Sequence, residues 1–148
     1  YNSAAYMEHC VDTLLQGGSD IEIILVDDGS TKDDTPAICD RYQEQYPDIV
    51  RAIHQENGGH GEGVNQGIRN ARGVYYKVVD SDDWVDVPAL RQVLDKLRDA
   101  RAGLASGGLI DLAAVDLHEA LYLLGRITGD SVDEKLLDDI FSRFCVGK

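Results

Sequence analysis

The sequence contains no uninterrupted run of about 18 apolar residues, so no transmembrane helix is expected. Its opening, Tyr1-Asn2-Ser3, lacks the basic and apolar blocks of a secretory signal. Cysteine is scarce. Cys10, Cys39 and Cys145 are widely spaced and odd in number, and they form neither a C-x-x-C pair nor a disulfide framework. That usage points to a reducing, cytoplasmic setting. Basic residues are few: 14 Lys and Arg stand against 27 Asp and Glu, for a net charge of −13. Phosphate backbones are held by clustered Lys and Arg, so nucleic acid is not an expected partner. Docking on anionic lipid is disfavoured for the same reason. No internal repeat and no low-complexity tract is present.

What is there fits one ordinary domain, or one core with a helical appendage. The chain has 148 residues, and domains run to roughly 100–200 residues. An apolar fraction of 43% and a charged fraction of 28% lie in the globular range. Most of the acidic excess falls in residues 1–99. The composition changes near Ala100–Gly108, where small residues replace a charged helical pattern.

Residues 1–99 alternate helix and strand. Met7, Cys10, Val11, Leu14 and Leu15 fall on one helical face, which Asn2 or Ser3 can cap and Gly17-Gly18 end. Ile21 to Val26, interrupted by Glu22, reads as a buried parallel strand. Thr35-Pro36 opens a helix to about Tyr46. Val50 to His54 is a short strand, Asn57 to Gly63 a glycine-rich loop, and a helix follows to about Ala71. Tyr75 to Val79 is the next expected strand. Asp86 caps a helix with Val87, Leu90, Val93, Leu94 and Leu97 inward. Such alternation implies an α/β fold with a mostly parallel sheet, and ligands bind at the carboxyl ends of its strands.

Two acidic clusters occupy strand ends of this kind: Asp27-Asp28-Gly29-Ser30 and Asp80-Ser81-Asp82-Asp83. Carboxylates gathered on one sheet edge need a cation or hydrogen-bond donors to remain ionised. A hard divalent ion bridging carboxylate and diphosphate oxygens meets that need. The bland alternative is that Asp27, Asp28 and Asp83 are turn residues in solvated loops. The glycine loop allows close backbone approach of a ligand. It is no P-loop, since no Gly-Lys-Ser/Thr follows, and it does not directly follow the first strand as a dinucleotide fingerprint would. His54 and His60 lack a second ligand at fixed spacing and read as solvent or core histidines. Trp84 reads as a packing residue beside the acidic loop. Cys10 reads as inert core, and Cys39 as a helical residue without an evident partner.

The order and spacing of these stretches resemble the nucleotide-sugar-binding half of a family 2 glycosyltransferase with the GT-A (Rossmann-like) fold. The matching residues are Tyr1-Asn2-Ser3, Ile21 through Ser30, Glu56-Asn57-Gly58-Gly59 with Asn65, Gly67 and Ile68, and Val78 through Trp84. The resemblance implies that Asp28 faces the donor base and that Asn57, Gly58 and Gly59 wall the donor pocket. It implies that Asp80-Ser81-Asp82 is the D-x-D motif, with Asp80 near ribose and metal and Asp82 on Mg²⁺ or Mn²⁺. A nucleoside-diphosphate sugar, a UDP-sugar first, would then be the ligand, and the reaction an inverting transfer to a hydroxyl acceptor helped by a carboxylate base. Gly63-Val64-Asn65 stands where many members have Ala-Arg-Asn, so a cationic contact is missing. The family's first strand ends just before the Tyr-Asn pair, and its acceptor half with the catalytic base has no match after about Asp99. The expectation is a partial GT-A domain over 1–99, without its central strand or its base.

Residues 100–148 read as a two-helix C-terminal tail: Leu112 to Leu124, then a helix opened by a Ser131–Glu134 capping box with Leu136, Leu137, Ile140, Phe141 and Phe144 on one face. Residues 101–148, ending Phe144-Cys145-Val146-Gly147-Lys148, resemble the C-terminal end of the GTPase that helps modify the tRNA wobble uridine. That resemblance makes Cys145 the tail's candidate residue. Arg143 and Lys148 offer it only a weak activating neighbourhood, and an exposed terminal thiol is the simpler reading. Two alternatives to the transferase module stand open. One is a non-catalytic interaction module that self-associates through its incomplete sheet or helical tail. The other is a helical fragment of the tRNA-modification GTPase.

Overall fold

The computed structural model describes residues 1–105 together with Val115, Glu119, Ala120 and Tyr122. It divides into two compact units, Tyr1–Val85 and Asp86–Lys148.

The first unit is built on two parallel strands, β1 (Ile23–Asp27) and β2 (Val50–His54). Ile23 pairs with Val50, and the register runs on to Asp27 opposite His54. A parallel pair needs a crossover between its strands. Helix α2 (Thr35–Gln45) supplies it, with Pro36 in its first turn, where the missing N–H costs nothing. Helix α1 (Met7–Leu14) precedes β1, and a 3-10 turn (Leu15–Asp20) breaks at Gly18 before the strand begins.

Side chains alternate across a strand, and the two faces here have different work. Ile23, Leu25, Val50 and Ala52 share one face and pack with Met7, Val11, Ile38, Cys39 and Tyr42 from α1 and α2. By the same alternation Asp27 and His54 end that core face, and Asp28 points to the other. Helix α3 (His60–Asn70) contacts β1. Glu22, which interrupts the apolar run in the sequence, accepts the Arg72 N–H and pairs with Arg51.

The segment before α1 is fastened to the loop after β1. Asn2 adopts φ 50, a left-handed conformation that asparagine tolerates. Its N–H donates to Ser30 Oγ at 2.8 Å, and its Oδ1 accepts from the Thr31 and Lys32 amides. The Ser3 N–H donates to Thr35 Oγ1 and the Ala4 N–H to Asp33 Oδ2.

Four expectations change. Neither Asn2 nor Ser3 caps α1: Tyr6 holds that position, without a side-chain cap bond. The helix expected after the glycine loop begins earlier, at His60, so His60–Gly63 is helical. Thr35 lies inside α2 rather than capping it, and Asp34 holds the cap position. Tyr75–Val79 forms no strand: among the described residues β1 pairs with β2 alone, and a strand exists only where a neighbour takes up its backbone hydrogen bonds. Val74, Tyr75, Tyr76 and Val78 are exposed.

In the second unit, Asp86 Oδ1 accepts the Ala89 N–H at 2.8 Å and caps α4 (Val87–Ala105). Leu90, Val93 and Ala100 are its buried residues, as the helical period predicts. The helix runs through the start of the composition seam. Lys96 pairs with Glu119, and Ala120 is buried. Val115, Glu119, Ala120 and Tyr122 are helical. The rest of the expected tail, including its second helix and Cys145, lies outside the described residues.

Two glycines separate conformational need from mere tolerance. Gly29 has φ +74, and a Cβ there would meet the Asn57 amide nitrogen at 2.8 Å. Gly63 is helical, with nothing within 4 Å of a Cβ. Gly29→Ala is therefore expected to lower stability by about 2 kcal/mol. Gly63→Ala is expected to raise it by about 0.5–1 kcal/mol. Urea midpoints moving in the same direction for both would contradict this.

Candidate functional site

The turn Asp27-Asp28-Gly29-Ser30 leaves β1 at its carboxyl end. Both carboxylates are buried, and the chain itself supplies their partners. Asp28 Oδ1 accepts the Gly58 N–H at 2.8 Å and the Gln55 side-chain amide at 2.6 Å. Asp28 Oδ2 accepts the Gly59 N–H at 2.8 Å, and Asn57 Nδ2 donates to the Asp28 carbonyl. The Gly58 N–H, then the Gln55 amide, then the Gly59 N–H hold this carboxyl below the usual carboxylate range, against the opposing effect of burial. A carboxylate offers about four lone-pair sites, and three are engaged here. Asp28, Asn57, Gly58 and Gly59, singled out in the sequence, are thus brought into one hydrogen-bonded unit.

Asp27 faces the other way. Its Oδ1 accepts the Ser30 N–H at 3.0 Å, and its Oδ2 lies 3.2 Å from His54 Nδ1. His54 Nε2 lies 2.9 Å from Asp40 Oδ1 on α2. Only the imidazolium can donate through both nitrogens at once. Hydrogen bonding to Asp40, and further to Asp27, raises the imidazole above its ordinary value of 6.5 against the cost of burial. His54 is thus neither a free solvent histidine nor a core one: it ties β1, β2 and α2 together at the end of the core.

The second cluster is open. The Asp80 side chain is 58% exposed, and Asp82 and Asp83 are exposed. The Asp83 N–H closes a turn onto the Asp80 carbonyl at 3.0 Å. His60 Nδ1 lies 3.9 Å from Asp80 Oδ1. Consecutive residues at the start of α3 therefore reach both clusters, Gly59 touching Asp28 and His60 touching Asp80. In place of the missing cation at Gly63-Val64-Asn65, the nearest arginine of α3, Arg69, pairs with Glu62 at 2.6 Å.

Helix α1 touches the acidic loop along one side. The Cys10 thiol donates to the Asp80 carbonyl at 3.6 Å, and Thr13 Oγ1 accepts the Val85 N–H at 3.2 Å. Burial, with the charges of Asp83, Asp82 and Asp80 behind it, pushes the Cys10 thiol up to about 11. Cys39 is pushed up to about 12, chiefly by burial. Both are free thiols. Trp84 departs from the expected packing role: it is 62% exposed, with its ring 5.2 Å from that of His9.

Among the described residues, no group of three His, Cys, Asp or Glu side chains is arranged to cage a metal. Magnesium-type ions keep several waters and take one or two carboxylates plus substrate phosphates. Exposed carboxylates on Asp80 and Asp82 fit such an ion arriving with a diphosphate. They do not fit a permanently caged one.

Sequence reasoning passed over Gln55, Asp33, Asn2 as a brace, and Thr13. The signal for Gln55 was its place one residue past a strand end and two before the glycine loop. Nothing local announces Thr13, whose partner is 72 residues away.

The α/β turn geometry and the matching sequence agree on a class: the chain belongs to glycosyltransferase family 2, whose profile (Glycosyl transferase family 2) matches residues 1–124. It is 36% identical over 145 residues to the glycosyltransferase GlyG of Streptococcus pneumoniae serotype 4, a match covering 97% of this chain and 47% of that protein. It is 33% identical over 141 residues to the glycosyltransferase GlyA of the same organism, covering 95% of this chain and 19% of that protein. The chain thus spans about half, or less, of the length of these relatives. A different similarity overlaps this one. The tRNA modification GTPase MnmE of Chloroflexus aurantiacus is 55% identical over 60 residues, 40% of this chain and 13% of that protein. That match is longer than the stretch 101–148.

The His54 bridge carries a pH dependence. The folded chain holds the imidazole proton more tightly than the unfolded chain does. Its stabilisation is then full below the ordinary value of 6.5 and fades as pH rises through the folded value. The stability difference between wild type and His54→Gln, from urea midpoints between about pH 5.5 and about pH 8.5, should shrink with rising pH. A difference that grows with pH would assign the bridge the wrong charge state.

Proposed function

We propose that this chain is the donor-binding part of an inverting glycosyltransferase, taking a nucleoside-diphosphate sugar, a UDP-sugar first, together with Mg²⁺ or Mn²⁺. The observation that carries this reading is the start of α3. There the Asp28-bound glycine loop and the exposed carboxylate of Asp80 are linked through Gly59 and His60.

In this reading Asp28 has one lone-pair site left for a donor group of the base, and its three internal bonds fix the direction of that site. Asn57, Gly58 and Gly59 line the pocket, and the exposed glycine backbone lets the ligand come close. Asp80 and Asp82 hold the divalent ion, with Asp80 also near the ribose. The bound ion supplies Lewis-acid neutralisation of the charge that builds on the departing diphosphate. Asp80 and Asp82 lie in a loop whose backbone is already tied, so the diphosphate is oriented without ordering that loop anew. The acceptor hydroxyl needs a carboxylate base, and we assign that role to no residue of this chain. The free thiols Cys10 and Cys39 suit a reducing cytoplasm.

A second reading has its own observation. β1 pairs along one edge only among the described residues, and Val74 to Val78 carries exposed apolar side chains. An interaction module completed by another strand would share those features, and it would be indifferent to Asp82.

Ligand binding to the folded state raises stability by about 2.7 kcal/mol at a hundredfold excess over Kd. UDP-sugar with Mn²⁺ at that excess should raise the wild-type Tm by several degrees, and Asp82→Ala should abolish the rise. An unmoved wild-type Tm sinks the donor-site reading. Concentration-dependent self-association, unaltered in Asp82→Ala, would favour the interaction module.

A further inference from the structure

We propose that α1 is the seat of the acidic loop, and that Thr13 and Cys10 are positioning residues for the Asp80 and Asp82 carboxylates. The proposal rests on the donor-site reading above.

Residues 80–85 have no helix or strand to hold them, and their one internal backbone bond is the Asp83-to-Asp80 turn. Three aspartates within four positions repel one another, and in an unsupported loop they would spread. Apart from the approach of the Asp80 carboxylate to His60, the loop meets α1 at three points. At its start the Asp80 carbonyl accepts the Cys10 thiol proton. At its end the Val85 N–H donates to Thr13 Oγ1. Between them the Trp84 ring lies against His9, tilted at 59°. Positions 9, 10 and 13 fall along one side of a helix, where residues three and four apart are neighbours.

Two of these contacts grip backbone and leave the acidic side chains alone. That separates a mount from ordinary packing, because it fixes where the carboxylates stand without consuming an oxygen of any of them. Thr13 is suited to the task. Its own hydroxyl proton goes to the Cys10 carbonyl at 2.8 Å, one helical turn back. The hydroxyl rotor is thereby set, and a lone pair is aimed at Val85. Cys10 is buried beneath the loop, and its proton has the Asp80 carbonyl to go to. Neither residue reaches the ligand in this scheme; both act through Asp80 and Asp82.

The test pairs isosteric loss with conservative rescue. Thr13→Val keeps the shape and removes the acceptor, whereas Thr13→Ser keeps the acceptor. Cys10→Ala and Cys10→Ser make the matching pair. Trp84 is the only tryptophan in the chain, so its fluorescence reports the loop directly during titration with MnCl₂ and UDP. Amide exchange at Val85 reports the anchor itself. Thr13→Val should weaken Mn²⁺·UDP binding about tenfold and speed Val85 exchange, and Thr13→Ser should stay within about twofold of wild type, the difference being one orphaned amide. Cys10→Ala should weaken binding by a few-fold, because a thiol is a weak donor, with Cys10→Ser restoring it. If wild type binds and Thr13→Val binds equally well, the positioning role is overturned while the donor site stands. If Thr13→Ser is as weak as Thr13→Val, the effect is structural and the proposal also falls. A wild-type chain that ignores Mn²⁺·UDP overturns the donor-site reading, and the proposal with it.

Discussion

Asp28 joins two parts of the first unit that share no ladder. Its carboxylate stands at the end of β1 and collects the amides of Gly58 and Gly59 and the side chain of Gln55. The start of α3 is thereby referred to the end of a core strand, although 30 residues intervene. Gly29 permits the close approach this requires, and Asn2 and Ser3 brace the turn from behind. Were the Asp28 side chain absent, two backbone donors would lose their acceptor and the glycine loop would lose its reference to the sheet. The approach of His60 to Asp80 depends on α3 beginning where it does.

The two acidic clusters meet the problem of like charge in opposite ways. Asp27 and Asp28 are buried and answered by donors from the chain: Ser30, His54, Gln55 and two glycine amides. Asp80, Asp82 and Asp83 are exposed, and among the described residues the cation nearest them is His60, 3.9 Å from Asp80. The first arrangement fixes structure. The second leaves negative charge in place for something positive, which is the physical basis for a metal-borne diphosphate in the proposed function. In an acidic chain the placement of the charge matters more than its total.

The parts of the fold that were legible from sequence are those decided locally. The apolar faces of α1 and α4 follow from helical spacing, and α2 follows from Thr35-Pro36. β1 and β2 follow from short branched runs, though Glu22 concealed where the first one starts. The strand expected at Tyr75–Val79 failed because a strand is defined by its neighbour and not by its own pattern. His54 was unreadable for a similar reason, since its two aspartates come from β1 and α2. The candidate site was half legible. The sequence grouped Asp28 with the Asn57-Gly58-Gly59 loop, but only the fold shows that the carboxylate holds the loop. Cys10 was correctly seen as buried, yet what it is buried against could not be inferred from a helical period.

The alternation at the end of β1 has a consequence for how such a chain can change. Asp27 and Asp28 are identical residues with different addresses, one toward the core face and one toward the glycine loop, and only the pleat distinguishes them. A single-residue insertion or deletion within Ile23–Asp27 would exchange their sides. It would leave the acidic dipeptide intact in sequence while detaching His54 on one face and Gly58 and Gly59 on the other. Substitutions in this strand are thus graded in effect, but length changes are all-or-none.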